Sequence, residues 1–287
     1  MAEAITPETN AAKPDEPRRL HPGLAFFGGL IGLGLGYVYV GRIAYAIGFL
    51  VAAYLCLFMA GWTRMAMNPV GWYALLAIAG LLWLVQIVPP MVIAWSQPVT
   101  PPKPYNRWWC YAAWFIGITV VSWPVAANRG AVFGYDHYYI PSGSMSPTVQ
   151  AGDRIVVDAW RYRDTPPAFG DIVVCQIGEV RVVKRVVGVP GDTIELRGPV
   201  LVRNGSVVDE PYLSTERLSG APNTGPLTLG AGQFFVVGDN RGNSNDSRYV
   251  GPLPRDQIFG RVEFIYFSSS YGGGVNWERF PVVLASD

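Results

Sequence analysis

The chain has 287 residues, 50% of them hydrophobic, with 22 basic and 21 acidic side chains and a formal net charge of +1. That composition excludes a soluble enzyme throughout and leaves no global field that would attract nucleic acid or an acidic partner. Three cysteines without CxxC or Cys/His spacing give no reason to expect a structural disulfide, a metal site or a cofactor.

Residues 1–23, rich in Pro, Ala and charge, read as a disordered tail. Four apolar runs follow: Leu24 to Val40, Ile43 to Trp62, Val70 to Trp95 and Trp108 to Ala127. Each is long enough for a helix to cross a hydrocarbon core of roughly 30 Å. Tryptophans 62, 72, 95, 108, 109 and 123 stand near the run ends, as an interfacial belt does. The loop after the third run carries Lys103 and Arg107 and is the best cytoplasmic candidate, so the last span delivers the remainder to the outer side. Whether the Gly-rich first run spans or is re-entrant stays open: Arg18 and Arg19 favour an inner N-terminus, Arg42 an outer one. Residues 24–127 are therefore a membrane region of three or four spans.

From residue 128 the chain changes to short Val/Ile-rich segments separated by Gly, Pro, Asn and Asp, which predict a mostly antiparallel β domain behind a multi-span α-helical membrane region. Gly178-Glu179 and Asn204-Gly205 are the two readable hairpin turns. The second also fits a glycosylation sequon, for which the turn is the cheaper explanation, and there is no internal repeat.

His137, the one histidine after the membrane region, lies among tyrosines on an expected strand, and a structural role there outweighs a triad role. The other way to activate a serine is a lysine, whose pKa of about 10.4 burial must lower. Lys184, the one lysine of the β domain, sits between Val182, Val183, Val186 and Val187. A lysine so placed either snorkels at an edge or is held neutral for a purpose, and the pattern alone leaves both open. Arg185 alternates to the other face, where it is expected to keep its charge in solvent. The run "IPSGSMSP" is by itself a polar turn in which Pro141 fixes φ and Gly143 relieves crowding.

Taken together and in order, "IPSGSMSPTVQAGDRIVV", "FGDIVVC", "VVKRVVGVPGDTI" and "FFVVGDNRGNSNDSRYVGPLPRDQIFGRV" resemble type I signal peptidase, the leader peptidase family, over most of Tyr138 to Phe267. The resemblance implies a membrane-bound serine endopeptidase in the bacterial cytoplasmic membrane. Residues 128–287 would be its peptidase domain on the periplasmic side, acting on exported preproteins. By that resemblance Ser144 is the nucleophile and Lys184 the general base. Ser142 contributes its hydroxyl to an oxyanion hole with the Ser144 amide, and Ser244 hydrogen-bonds and orients the lysine. Asp239, Asn240, Arg241, Asp246 and Arg248 are expected to form the supporting turn. Gly242 departs from the pattern, standing where an aspartate is common, and the segment between Asp192 and Gln233 is compact, which suggests a small accessory β region.

Ile140, Pro141, Met145, Val149, Val182 and Val183 are expected to line shallow pockets for the small residues of an Ala-x-Ala site, or else to be ordinary core. An extended substrate can add as a strand beside the Lys184 strand. Trp160, Tyr162 and Trp277 are candidate interfacial aromatics. The expected partners are preprotein signal peptides and membrane lipids, with the protein export machinery as a further one. Two alternatives stand beside this reading: a specialised relative maturing one dedicated secretion or conjugation substrate, and a non-catalytic membrane-anchored β scaffold.

Overall fold

The first apolar run does not form one long helix. It gives helix α1 (Pro22–Ile31) and helix α2 (Leu35–Tyr39). Between them Gly32, Leu33 and Gly34 all take positive φ, which ends a right-handed helix. Ten residues of helix reach only about 15 Å, half a hydrocarbon core. The computed structural model describes residues 18–97, 99–101, 103–213, 221–269 and 273–284. Residues 1–17 of the expected tail lie outside these. The tail's last residues are ordered: strand β1 (Arg18–Arg19) pairs with strand β2 (Val99–Thr100), and His21 caps α1 with its ring nitrogen.

Three helices are long and apolar enough to cross a membrane among the described residues. They are α3 (Ile43–Trp62), α4 (Pro69–Ser96) and α5 (Trp108–Ala127). By its internal contacts the chain divides into one unit of Met1–Cys56 with Ala77–Pro124, and a second of Leu57–Leu76 with Val125–Asp287. In the first unit Pro89 lies inside α4 and lacks the amide that Val85 O would accept. The buried Tyr37 hydroxyl donates to that carbonyl instead, at 2.7 Å. Arg18 donates to Tyr39 O and the Tyr111 hydroxyl, and Trp114 Nε1 to Leu33 O, which ties the broken helix pair to its unit.

In the second unit a short helix, α6 (Arg129–Phe133), leads into an antiparallel sheet. Its strands in chain order are β3 (Tyr135–Tyr139), β4 (Asp153–Asp158), β5 (Ile172–Ile177) and β6 (Val180–Gly188). Strands β7 (Thr193–Arg197), β8 (Val200–Arg203), β9 (Ser206–Val207) and β10 (Thr224–Thr228) form a separate small sheet, the compact accessory region. The large sheet is completed by β11 (Gln233–Val237), β12 (Leu253–Pro254) and β13 (Ile258–Ser268), in the order β12-β11-β6-β5-β13-β4-β3, with β14 (Val282–Val283) on β13. Helix α7 (Ser247–Val250) lies between β11 and β12. Both predicted hairpins are present, with Ile177 opposite Val180 and Arg203 opposite Ser206.

Alternation along β6 puts Val182 and Val186 with one apolar cluster and Val183 with another, so this central strand has both faces covered. Arg185 consequently does not reach solvent, contrary to expectation. It is buried, forks onto Asp239 at 2.9 and 2.7 Å, and lies 3.7 Å from the centroid of the Tyr212 ring. Tyr162 is also corrected: it is buried, and its hydroxyl donates to Asp171 at 2.8 Å, so it offers nothing to a membrane surface. Trp160 is half-buried against Phe58, whereas Trp277 remains 74% exposed. The turn between α3 and α4 packs within this unit: Arg64 pairs with Asp158, and the Tyr73 hydroxyl donates to Tyr266 O at 2.8 Å.

Candidate active site

The serine turn, residues 141–152, connects β3 to β4 and is pinned at both ends. Ile140 N donates to Asp153 O and Gly152 N to Ile140 O, while Met145 and Val149 drive their side chains into the core. Asp153 is fully buried: it accepts from Gln150 N, from the Ser268 hydroxyl at 2.7 Å and from Arg279 at 2.7 Å. The same Arg279 guanidinium donates to Thr148 O at 3.0 Å. A rigid base therefore holds the turn, leaving Ser142 exposed and Ser144 half-buried.

The segment after β11 clamps the other side. Asn240 N donates to Ser144 O, and Asn240 Nδ2 to Gly143 O, both at 3.0 Å. The Thr148 hydroxyl donates to Asp239, whose carboxylate Arg185 already holds. Asp246 accepts from Gly238 N and from Arg248 Nε and Nη2, and Arg248 Nη1 donates onward to Arg241 O. Arg241 is itself buried, donating to Glu210 and to Pro199 O. Gly238 is required by this closeness: a Cβ there would lie 2.5 Å from Ser144 O and 2.3 Å from Ser244 Oγ. Gly242 is exposed, and the Arg241, Asp246 and Arg248 contacts of the turn form without a carboxylate at that position.

Lys184 comes off β6 beneath the turn with Nζ 2.9 Å from Ser144 Oγ. The amine also donates to Val183 O at 2.9 Å. The lysine is 2% exposed. Burial pushes its pKa below the ordinary lysine value, and nearby Cys175, Asp246 and Asp239 oppose that shift only in part. Of the two readings left open, snorkelling is thus excluded. Cys175 is not a competing nucleophile, because burial pushes its thiol up to about 12 and keeps it protonated.

Ser244 is placed against Gly238 beside the Ser144 carbonyl, but the expected hydrogen bond to Lys184 is not formed: its hydroxyl is buried without a partner among the described residues. His137 lies away from this chemistry, its ring packed against Trp72 and Tyr266. The expected pocket residues divide. Ile140, Met145, Val149 and Val183 belong to one core cluster, and Met145 and Val149 at 1% and 0% exposure have no surface to offer a substrate. Pro141 is exposed, and Val182 is partly so. Residues that the sequence did not place in the site also build it: Arg185, lying over the Tyr212 ring, fixes Asp239, and Asp153 with Arg279 fixes the turn. Alternation put Arg185 opposite Lys184 but on a face expected to meet solvent.

Comparison with known proteins bears on the same residues. The family described as signal peptidase, peptidase S26, matches residues 111–267. A probable signal peptidase I-1 of Synechocystis sp. is 38% identical over 145 residues, 47% of this chain and 72% of that one. The signal peptidase I of Bacillus caldolyticus is 36% identical over 174 residues, 56% of this chain and 90% of that one. A crystal structure of a signal peptidase I from Enterococcus faecalis aligns at 31% identity and a TM-score of 0.31, covering 34% of this chain and 97% of that one. The serine turn, the lysine strand and the clamp after β11 all fall inside the matched residues, and the chain belongs to the signal peptidase family, peptidase S26.

Proposed function

We propose that this chain removes signal peptides from exported preproteins with Ser144 as nucleophile and Lys184 as general base. Signal peptide removal by a membrane-associated serine endopeptidase follows from the family; the assignment of roles is ours. The observation that carries it is the buried amine 2.9 Å from Ser144 Oγ. A neutral Lys184 takes the hydroxyl proton as Oγ attacks the scissile carbonyl, giving a tetrahedral oxyanion and an ammonium. The ammonium then gives that proton to the leaving amine, which departs as the new N-terminus and leaves an acyl ester on Ser144. Water, deprotonated by the same lysine, hydrolyses the ester and frees the signal peptide.

The Ser144 amide and the exposed Ser142 hydroxyl are free to donate to the oxyanion, since neither has a partner among the described residues. Ser142→Ala is expected to lower kcat on a preprotein by roughly a hundredfold or more with KM little changed. An unchanged kcat removes Ser142 from the oxyanion hole.

The substrate adds as an extended strand to β6. Pairing with β11 begins only at Arg185, so Val180 to Lys184 keep that backbone edge unpaired among the described residues. Val182 lies on that edge, and with the exposed Pro141 and Ser142 it would receive the small residues before the cut, as in Ala-x-Ala sites. A rotation of the Ser244 hydroxyl towards the amine on substrate binding would give it the lysine-orienting role.

The membrane topology we propose has three crossings in the bacterial inner membrane, with the N-terminus inside and the β unit outside. Support comes from β1 pairing with β2, which puts Arg18 and Arg19 beside the loop carrying Lys103 and Arg107. Tyr105 in that loop donates to Gly41 O, so Arg42 joins the same positive side. The turn holding Arg64 pairs with Asp158 of the β unit and so lies on the opposite side. In a background without native cysteines, an impermeant thiol reagent on intact cells is expected to label a cysteine in 63–68 and spare one in 103–107. The reverse labelling contradicts this topology.

A further inference from the structure

Arg163 and Arg181 have no acidic partner among the described residues, and both line one cavity. Its volume is about 330 Å³, and its wall includes Ala127, Asp136, Tyr138 and Phe259. The Asp136 carboxylate is already engaged: it accepts from Arg129, from His137 N at 2.8 Å and from the Tyr138 hydroxyl at 2.9 Å. With Asp136 matched by Arg129, the cavity keeps two uncompensated positive charges.

Both guanidinium groups are held in place by aromatic rings. Arg163 lies over Trp160 at 4.2 Å and donates to Ala131 O, while Arg181 lies over Phe259 at 4.6 Å and donates to the Tyr138 hydroxyl. Each then has most of its five N–H donors unspent, in the planar fork that suits phosphate oxygens. Ala127 is the last residue of α5, so if α5 is a span the cavity opens where that helix leaves the hydrocarbon. At that depth the abundant anion is the phosphodiester of a phospholipid headgroup.

We propose that Arg163 and Arg181 bind the phosphate of an anionic membrane phospholipid in this cavity. The proposal rests on α5 being a membrane span and is independent of the Ser144 and Lys184 roles. It places a lipid at the rim of the substrate groove, since Tyr138 leads into Ile140 and Pro141, and Arg181 precedes Lys184 on β6.

The test titrates the purified full chain in detergent with short-chain phosphatidylglycerol and counts bound lipid by native mass spectrometry. One lipid is expected to be retained, and the Arg163→Gln/Arg181→Gln pair is expected to weaken it at least tenfold. Arg161→Gln, which removes one positive charge outside this cavity, is expected to leave binding unchanged. Equal retention by the double variant, equal loss in Arg161→Gln, or equally tight diacylglycerol without phosphate overturns the proposal. So does displacement of the lipid by an equal concentration of inorganic phosphate, which assigns the site to a free anion, or by an acidic preprotein peptide, which assigns it to substrate. Should the glutamine pair not fold, Arg163→Lys/Arg181→Lys keeps the charge without the forks. Its binding must then fall below wild type, and unchanged binding overturns the proposal equally.

Discussion

Ser144→Ala is expected to lower kcat for preprotein cleavage by roughly ten thousandfold or more, and Lys184→Ala by a similar factor. The double variant should be no worse than either single one, because the two groups act as a unit. Stability should move the other way for the lysine. Its folded pKa lies below its unfolded value, so between those two values the unfolded chain binds the extra proton. Folding stability therefore falls as pH drops through that window and stays low beneath it. Removing the titration with Lys184→Met is expected to raise the Tm near neutral pH while abolishing activity. A lower Tm would mean that the amine is charged and satisfied in the folded state, and would count against its role as a base.

Asp239→Ala is the second large effect. It strands the Arg185 guanidinium in a buried position and removes the acceptor for the Thr148 hydroxyl. Breaking one partner of a buried pair typically costs about 3–5 kcal/mol, read here by denaturant or thermal unfolding. Replacing both partners by apolar residues, Arg185→Met with Asp239→Leu, should recover most of that stability, since no charge is left uncompensated. Activity should stay low, because the turn carrying Ser144 still lacks its contact with Asp239. Recovery of activity together with stability would show that the pair serves folding alone.

The strands were legible in the sequence, and the family resemblance pointed to the proposed Ser144/Lys184 pair, whereas their surroundings were not legible. By itself a lone lysine among valines left both snorkelling and a held-neutral amine open, and the serine run read as a polar turn. Arg185 misled, since alternation predicts a face but not what covers it: here Asp239 and the Tyr212 ring occupy the space that solvent would. Met145 and Val149 fall on the core side of the two readings open to them, because an apolar residue near a nucleophile can line a pocket or anchor the loop beneath it. Arg279 carries no local signal, and its contact with Asp153 spans most of the β unit in sequence. The first apolar run was ambiguous for a different reason. Its length permits a span, and the positive φ of Gly32, Leu33 and Gly34 breaks it.

The account stands on a neutral, buried Lys184 taking a proton from Ser144. Its most direct test is the pH dependence of kcat/KM for preprotein cleavage by the reconstituted full chain, from mildly acidic to alkaline pH. The rate is expected to rise with unit slope through an apparent pKa below the ordinary lysine value of about 10.4, because only the unprotonated amine can act. A rate flat across that range with folding intact, or one rising only near the ordinary lysine value, would contradict it.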